Sequence, residues 1–252
     1  MKTKLPTTFD ALYDSCLYVS IINAVWSIRN PLTSYAHSWD GINYSFQEGS
    51  SRGTISFDQS KGILAGASEE TKSSRMGWYP EFTALQLFDE APEDIKSLAA
   101  NMTLQYLFET IHDTSTPTKR VGLLRRISKK ATAFEQVVIP VATTALWSDG
   151  DTVMTSDSIE DFNDHGGRFI LEITIPIDEL RYMQATQNEM LPEELELADL
   201  LFELKKNGES RVNTNSIPLL SQAQTVMVNM KPMSGEAEFI KSMSAIGIEV
   251  VG

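Results

Sequence analysis

One serine lies in a sequence motif that is typical of a hydrolase nucleophile. Residues 49–53 read Gly-Ser-Ser-Arg-Gly, the G-x-S-x-G pattern centred on Ser51, and His165 begins a His-Gly-Gly segment farther along. That chemistry needs a strand before the serine and a helix after it, so that the hydroxyl is exposed on a sharp turn. The residues after Ser51 are strand-like instead, so the pattern predicts a hairpin loop. A triad of Ser51, His165 and an aspartate stays open as a hydrolase-like alternative.

An acidic segment has part of the spacing of a calcium-binding loop. Asp149, Asp151, Asp157 and Glu160 stand at positions 1, 3, 9 and 12 of such a loop. Position 6 requires a glycine for the sharp turn, and the chain has Met154 there. The three histidines of the chain also lack the spacing of zinc ligands. We therefore predict no metal site and no cofactor.

The densest group of aromatic and hydrogen-bonding side chains precedes and enters a strand-like region. Loops on rigid scaffolds concentrate binding residues, so we predict a small-ligand surface here. The same region, from His37 to Ser51, is where the hydrolase-like alternative would have its site. The competing interpretation is that the aromatic residues are core side chains with polar atoms. The candidate ligand-binding residues are His37, Trp39, Asp40, Asn43 and Tyr44.

The negative charge is concentrated in one stretch. Between Ser148 and Ser210 there are 16 acidic and 4 basic residues, whereas the whole chain has a net charge of −13. Opposite potentials speed encounter and fix register between proteins, and aromatic residues are frequent hot spots. The charge pattern predicts a non-enzymatic interaction protein, such as an acidic inhibitor or immunity-type protein that docks a basic protein partner. The predicted partner-binding residues are Trp147, Asp149, Asp151, Asp157, Glu160, Asp161, Phe162 and Asp164.

A basic cluster lies just before the acidic stretch. It contains six cations and no acid: Lys119, Arg120, Arg125, Arg126, Lys129 and Lys130. Such a cluster can contact phosphates, but no recognition-helix or aromatic-platform pattern accompanies it. The acidic balance of the chain would also repel DNA, so nucleic-acid binding is not predicted.

Hydrophobic periodicity and end signals predict the secondary structure. The predicted helices are Phe9 to Ile28 (deeply buried), Pro92 to about His112, Lys119 to about Phe134, Pro192 to Asn207 and Glu236 to Ala245. The predicted strands are Asn43 to Gln47, Gly53 to Asp58 and Gly62 to Ser68, forming a three-stranded antiparallel meander, then Val137 to Leu146, Arg168 to Ile175 and Thr225 to Met230.

These elements predict an α+β fold, with an N-terminal buried helix, the meander, several helices and later strands that join a mixed sheet. A single domain over residues 1–252 is expected, and two lobes with a break near 148–167 are the alternative. Cys16 is the single cysteine, which fits a reducing compartment. The apolar run from Leu17 to Trp26 is too short to span a bilayer. We therefore predict a cytoplasmic protein without a membrane partner; its oligomeric state stays open.

Overall fold

The computed structural model describes residues 2–32, 36–79, 81–117, 134–187 and 189–252. For residues 48, 110–117, 134–137 and 187 it describes the backbone alone. The fold class is α+β, as predicted. The helices are α1 (Phe9–Arg29), α2 (Glu93–Asn101), α3 (Ile159–Phe162), α4 (Arg168–Ile173), α5 (Ile177–Gln187), α6 (Pro192–Lys206) and α7 (Gly235–Ile246).

The strands are β1 (Thr3–Thr8), β2 (His37–Trp39), β3 (Asn43–Glu48), β4 (Ser51–Asp58), β5 (Ile63–Glu70), β6 (Phe108–Pro117), β7 (Phe134–Pro140), β8 (Thr144–Asp149), β9 (Thr152–Thr155), β10 (Arg211–Asn213), β11 (Thr225–Val228), β12 (Lys231–Ser234) and β13 (Glu249–Val251). Within the described residues, the main sheet has the order β1-β9-β8-β5-β4-β3-β2. Its pairs are all antiparallel. Three two-stranded sheets, β6-β7, β10-β13 and β11-β12, complete the set.

Helix α1 forms where the sequence predicts it. The Thr8 side chain accepts a hydrogen bond from the Ala11 N–H at 3.2 Å and so caps the first turn. Pro31 follows the C-cap residue Asn30, and proline cannot continue a helix. Buried residues lie on all sides of α1 from Leu12 to Ile28, so the rest of the fold must surround this helix.

The main sheet has a hydrophobic core on each face. Alternate residues of one strand point to opposite faces, and in β5 Leu64 packs with the α1 core while Ala65 packs with the core around α2. The α1 core also contains residues of α6 and α7. The sheet therefore lies between two helical layers. At one edge of the sheet, β2 and the neighbouring β3 contact α1.

The strand predicted over Arg168 to Ile175 is wrong, because residues 168–173 form α4. Five of the eight residues of this segment are apolar, and their positions fit both a period of two and a helical period. The helix buries Ile170 and Ile173, three residues apart, which is the spacing of one helical face.

The helix predicted to reach His112 ends at Asn101. The Thr103 hydroxyl lies 2.9 Å from the Ser56 hydroxyl oxygen and 3.1 Å from the Ala65 carbonyl oxygen, which share its one proton as acceptors. These tertiary contacts favour a tight turn over further helix, and β6 then begins at Phe108. His112 lies in β6, opposite Gln136.

The later strands β8 and β9 join the meander, but by antiparallel pairing rather than in the predicted mixed sheet. A short turn at Gly150, with a φ of 60°, makes β8 and β9 an antiparallel hairpin, and β8 in turn pairs antiparallel with β5. The strand predicted from Val137 to Leu146 divides into β7 and β8. The helix predicted from Lys119 falls on residues 119–133, outside the described residues. The prediction of a single domain stays a prediction.

Among the described residues, one helix, α1, has the length and the apolar composition needed to cross a membrane. However, 78% of its most apolar window is buried inside the fold. Core helices of soluble proteins and signal sequences pass the same test, so the compartment stays a prediction.

The close contact between α1 and α7 at Gly235 can be tested by substitution of this glycine. A methyl group there would overlap the carbonyl group of Ile28, so Gly235→Ala should separate the two helices. We expect it to lower the free energy of unfolding by about 2 kcal/mol or more. Urea denaturation measures the change. Gly77→Ala is the matched control, because a methyl group there meets nothing within 4 Å; equal losses in both variants would contradict the prediction.

Candidate functional site

The predicted ligand-binding residues divide into separate environments. His37 Nδ1 lies 2.8 Å from the Tyr44 hydroxyl, and their rings are stacked with centroids 6.0 Å apart. Trp39 packs in the core against Phe57 and Tyr13. Of the five predicted residues, His37 and Tyr44 are thus brought together, and Trp39 is a core side chain as in the competing interpretation.

Asp40 and Asn43 form the turn between β2 and β3. Asp40 Oδ1 accepts hydrogen bonds from the backbone N–H groups of Ile42 and Asn43 at 3.1 and 2.7 Å. Asn43 Oδ1 accepts from the Ser56 hydroxyl at 2.6 Å, on the face of β3 opposite to Tyr44. These two side chains therefore hold the turn and do not join His37.

His37 lines a cavity of about 310 Å³ between α1, the β2–β3 edge, α4 and α5. Its walls include the aromatic rings of Trp26, His37 and Phe169, and the polar side chains of Asn23, Gln47 and Glu172. The His37 and Phe169 rings are stacked at 5.7 Å with an angle of 18° between their planes. Small-molecule sites combine apolar and aromatic side chains with a few polar groups, and this cavity has walls of both kinds.

A buried amide connects this cavity to α1. Asn23 Nδ2 donates a hydrogen bond to the His37 carbonyl oxygen at 2.9 Å, and Asn23 is 5% exposed. The β2 edge strand, which has only three residues, is thereby tied to the core helix. Asn23 and Ser20 interrupt the apolar run from Leu17 to Trp26, and this interruption is a local signal for a buried polar role.

The His37 ring is neutral at neutral pH. Its burial disfavours the charged form and lowers the pKa of His37 to about 4. Nδ1 is engaged with Tyr44, and Nε2 makes no hydrogen bond to the described residues. The ring therefore presents an uncharged heteroaromatic surface next to Phe169.

Sequence reasoning missed Asn23, Trp26, Phe169 and Glu172. Trp26 and Asn23 belong to α1, and Phe169 and Glu172 were expected on a strand. The four residues come from segments more than 140 positions apart, so their meeting with His37 has no signature in local spacing.

A second, polar cleft of about 600 Å³ adjoins the cavity, since Phe169 and Glu172 line both. Ser51 lies in it, and its hydroxyl donates to Glu70 Oε2 at 2.7 Å. Among the described residues His165 makes no hydrogen bond to Ser51; its Nδ1 pairs with the Ser73 hydroxyl at 2.7 Å. Within the described residues, the hydrolase-like triad is therefore not assembled.

The predicted docking segment is partly internal. Trp147 and Phe162, the expected apolar anchors, are 0% exposed and lie in the two cores. Asp157 is also buried; its carboxylate receives the Arg75 guanidinium in two hydrogen bonds of 2.8 and 2.9 Å. Strand β8 is buried on both faces: Leu146 points into the α1 core and Trp147 into the core around α2. Trp147, Phe162 and Asp157 are thus part of the fold rather than of a surface.

The remaining residues of the segment are at the surface. Asp149, Asp151, Glu160, Asp161 and Asp164 are exposed. Asp161 supports the cap of α3, since its N–H donates to the Ser158 hydroxyl at 3.0 Å. Among the described residues, no group of three or more His, Cys, Asp or Glu is placed to hold a metal ion.

In comparisons of the chain with protein-family models, with curated proteins and with solved structures, nothing matches. Functional inference therefore depends on the geometry of the molecule itself.

Because the half-buried His37 ring has a lowered pKa, we predict that the stability of the protein depends on pH. An imidazole in the unfolded chain titrates near 6.5, whereas the folded value is about 4. Between these values the unfolded chain binds more protons, so the free energy of unfolding falls as the pH decreases through that window. The full loss is on the order of 3 kcal/mol, and none of it is present above about pH 6.5.

His37→Asn removes the titrating ring and should lose less stability between about pH 7 and about pH 4.5 than the unmodified protein does. Urea denaturation at the two pH values measures the difference, and other titrating groups cancel in it. Equal losses in both proteins would show that His37 is not held neutral.

Proposed function

We propose that the protein binds a small, flat, largely apolar molecule in the His37 cavity. The observation that carries this proposal is a space of about 310 Å³ walled by the rings of Trp26, His37 and Phe169. Aromatic rings favour stacked and edge contacts with a flat ligand. The polar groups around the cavity would set the orientation of the ligand.

The walls are positioned by contacts that do not need a ligand. Phe169 stacks on Phe46 at 4.7 Å, His37 is held by Tyr44, and Asn23 binds the His37 carbonyl group. A binding site that is already ordered avoids much of the entropy cost of immobilising side chains. This supports a binding function for the cavity.

Indole, a neutral flat molecule, is a suitable first probe. We expect saturable binding by isothermal titration calorimetry and an increase in melting temperature with indole concentration. Ala36→Phe would place a ring at the cavity wall and should weaken indole binding about tenfold or more, which is about 1.4 kcal/mol. Ala237→Phe is the matched control, because Ala237 is exposed on α7 outside the cavity.

Nuclear Overhauser contacts between indole and the His37 ring protons would locate the bound probe, whether or not Ala36→Phe remains folded. The proposal fails if indole does not bind at millimolar concentration, or if it binds without contacts to His37.

The second candidate function is docking of a basic partner protein through an acidic face. We define this face as the exposed residues Asp149, Asp151, Glu160, Asp161 and Asp164. Ile159 adjoins them and is 38% exposed, so it takes the place of Trp147 and Phe162 as an apolar anchor. Charge complementarity of this kind steers association and fixes register.

Affinity capture from native lysate at low and moderate salt tests the acidic face. A variant with Asp149, Asp151 and Asp164 changed to Asn and Glu160 changed to Gln should lose a basic protein that the unmodified chain retains. The control variant neutralises four exposed acids elsewhere, Asp178, Glu193, Glu196 and Glu203, and should retain it. The captured protein is then purified and titrated against both variants; equal affinities would refute the role of this face.

A further inference from the structure

We infer that the ligand of the His37 cavity carries a positive charge at one end, as an ammonium group that is bound in the adjoining polar cleft. This inference rests on the proposed function and names the chemical class of the ligand: a flat apolar body with an amine substituent.

The first argument is that the two spaces meet along α4. Phe169 and Glu172 line both the cavity and the cleft, and residues three apart lie on the same face of a helix. A flat molecule against His37 and Phe169 would therefore have the polar cleft directly across the Phe169 ring. A substituent of two or three atoms on the flat ring would extend from the cavity past Phe169 into the cleft.

The second argument is the charge of the cleft. It is lined by the carboxylates of Glu70, Asp164 and Glu172 and by one guanidinium group, that of Arg168. Arg168 is already paired, with Nε 2.7 Å from Glu172 Oε1. The cleft thus has an excess of negative charge, which would attract a cation and repel a carboxylate or phosphate.

Glu70 contributes a full charge to this cleft. Burial alone would raise its pKa, but hydrogen bonds from the Ser51 hydroxyl and the Lys72 N–H stabilise the ionised form and lower the pKa below its usual value. Because the Ser51 hydroxyl donates its proton to Glu70, the Ser51 oxygen can offer only lone pairs to a ligand.

The third argument is an acceptor without a donor. Asn163 lines the cleft, and its Oδ1 is buried with no hydrogen-bond partner in the part of the chain that the structure describes. A buried acceptor left unpaired costs free energy. An ammonium group has three donors and no acceptor, so a rotation of the Asn163 side chain toward the cleft would let the ligand donate to Oδ1 as well as to the carboxylates. The Phe169 ring beside it would add a cation–π contact.

Three probes with the same indole ring test this inference: indole, tryptamine and indole-3-acetate. By calorimetry at low salt, we expect tryptamine to bind about tenfold more tightly than indole, and indole-3-acetate to bind more weakly than indole. Glu70→Gln combined with Asp164→Asn should remove most of the tryptamine advantage and leave indole affinity unchanged.

The matched control is Asp149→Asn combined with Asp151→Asn, which removes the same charge from the exposed β8–β9 turn. It should leave the tryptamine advantage intact. If the cleft variant does not fold, Asp164→Asn alone, at an exposed carboxylate, is compared with Asp149→Asn alone, which removes the same single charge.

The outcomes separate this inference from the proposed function. If indole binds beside His37 and tryptamine binds no more tightly, the inference is overturned and the cavity remains a binding site. If the cleft and control variants lose the tryptamine advantage equally, the effect is one of net charge and the inference is also overturned. If none of the three probes binds, the proposed function itself fails.

Discussion

The burial of α1 is the constraint on which the rest of the structure depends. A helix that is apolar on all sides cannot lie on a surface and must be enclosed. The main sheet, α6 and α7 enclose α1, and Gly235 lets α7 approach so closely that a side chain would overlap the Ile28 backbone. The Gln224 N–H donates to that same Ile28 carbonyl oxygen at 2.9 Å, so the chain before β11 is also tied to the end of α1.

Enclosing α1 also determines the candidate site, because each polar group on a buried helix needs an internal partner. Ser20 and Ser27 bond to carbonyl oxygens within the helix, but the Asn23 amide reaches out to the His37 carbonyl group. This bond fixes the short β2 strand against α1 and leaves the His37 ring against Phe169. The cavity lies where the edge strand, α1 and α4 meet, so the same bond that satisfies a core amide positions a wall of the site.

The sequence predicted those parts of the fold whose signals are local. Capping residues and prolines delimit α1 and α6, and alternation with glycine-containing turns delimits β3, β4 and β5. It failed where local preference is ambiguous, as in α4, or where a tertiary contact decides, as at Thr103. The candidate site was predicted only in part: His37 and Tyr44 are close in sequence, but Phe169 reaches them only because α4 packs on α1 and β3.

The acidic stretch shows why a count of charges does not describe a surface. Three of its carboxylates form salt bridges: Asp157 with Arg75, Glu194 with Arg29 and Asp199 with Arg181. Asp199 also accepts a hydrogen bond from the Tyr18 hydroxyl. Breaking the buried Arg75–Asp157 pair would leave an uncompensated charge in the core, and Glu194 is also nearly buried, so these two carboxylates stabilise the fold and are not available to a partner. The Asp199–Arg181 pair remains partly exposed. Asp164 and Glu172 instead face a cleft together with Glu70, which lies far outside the stretch. The charge that bears on ligand binding is thus assembled by the fold from β5, the turn before α4 and α4 itself, and no continuous segment of the sequence contains it.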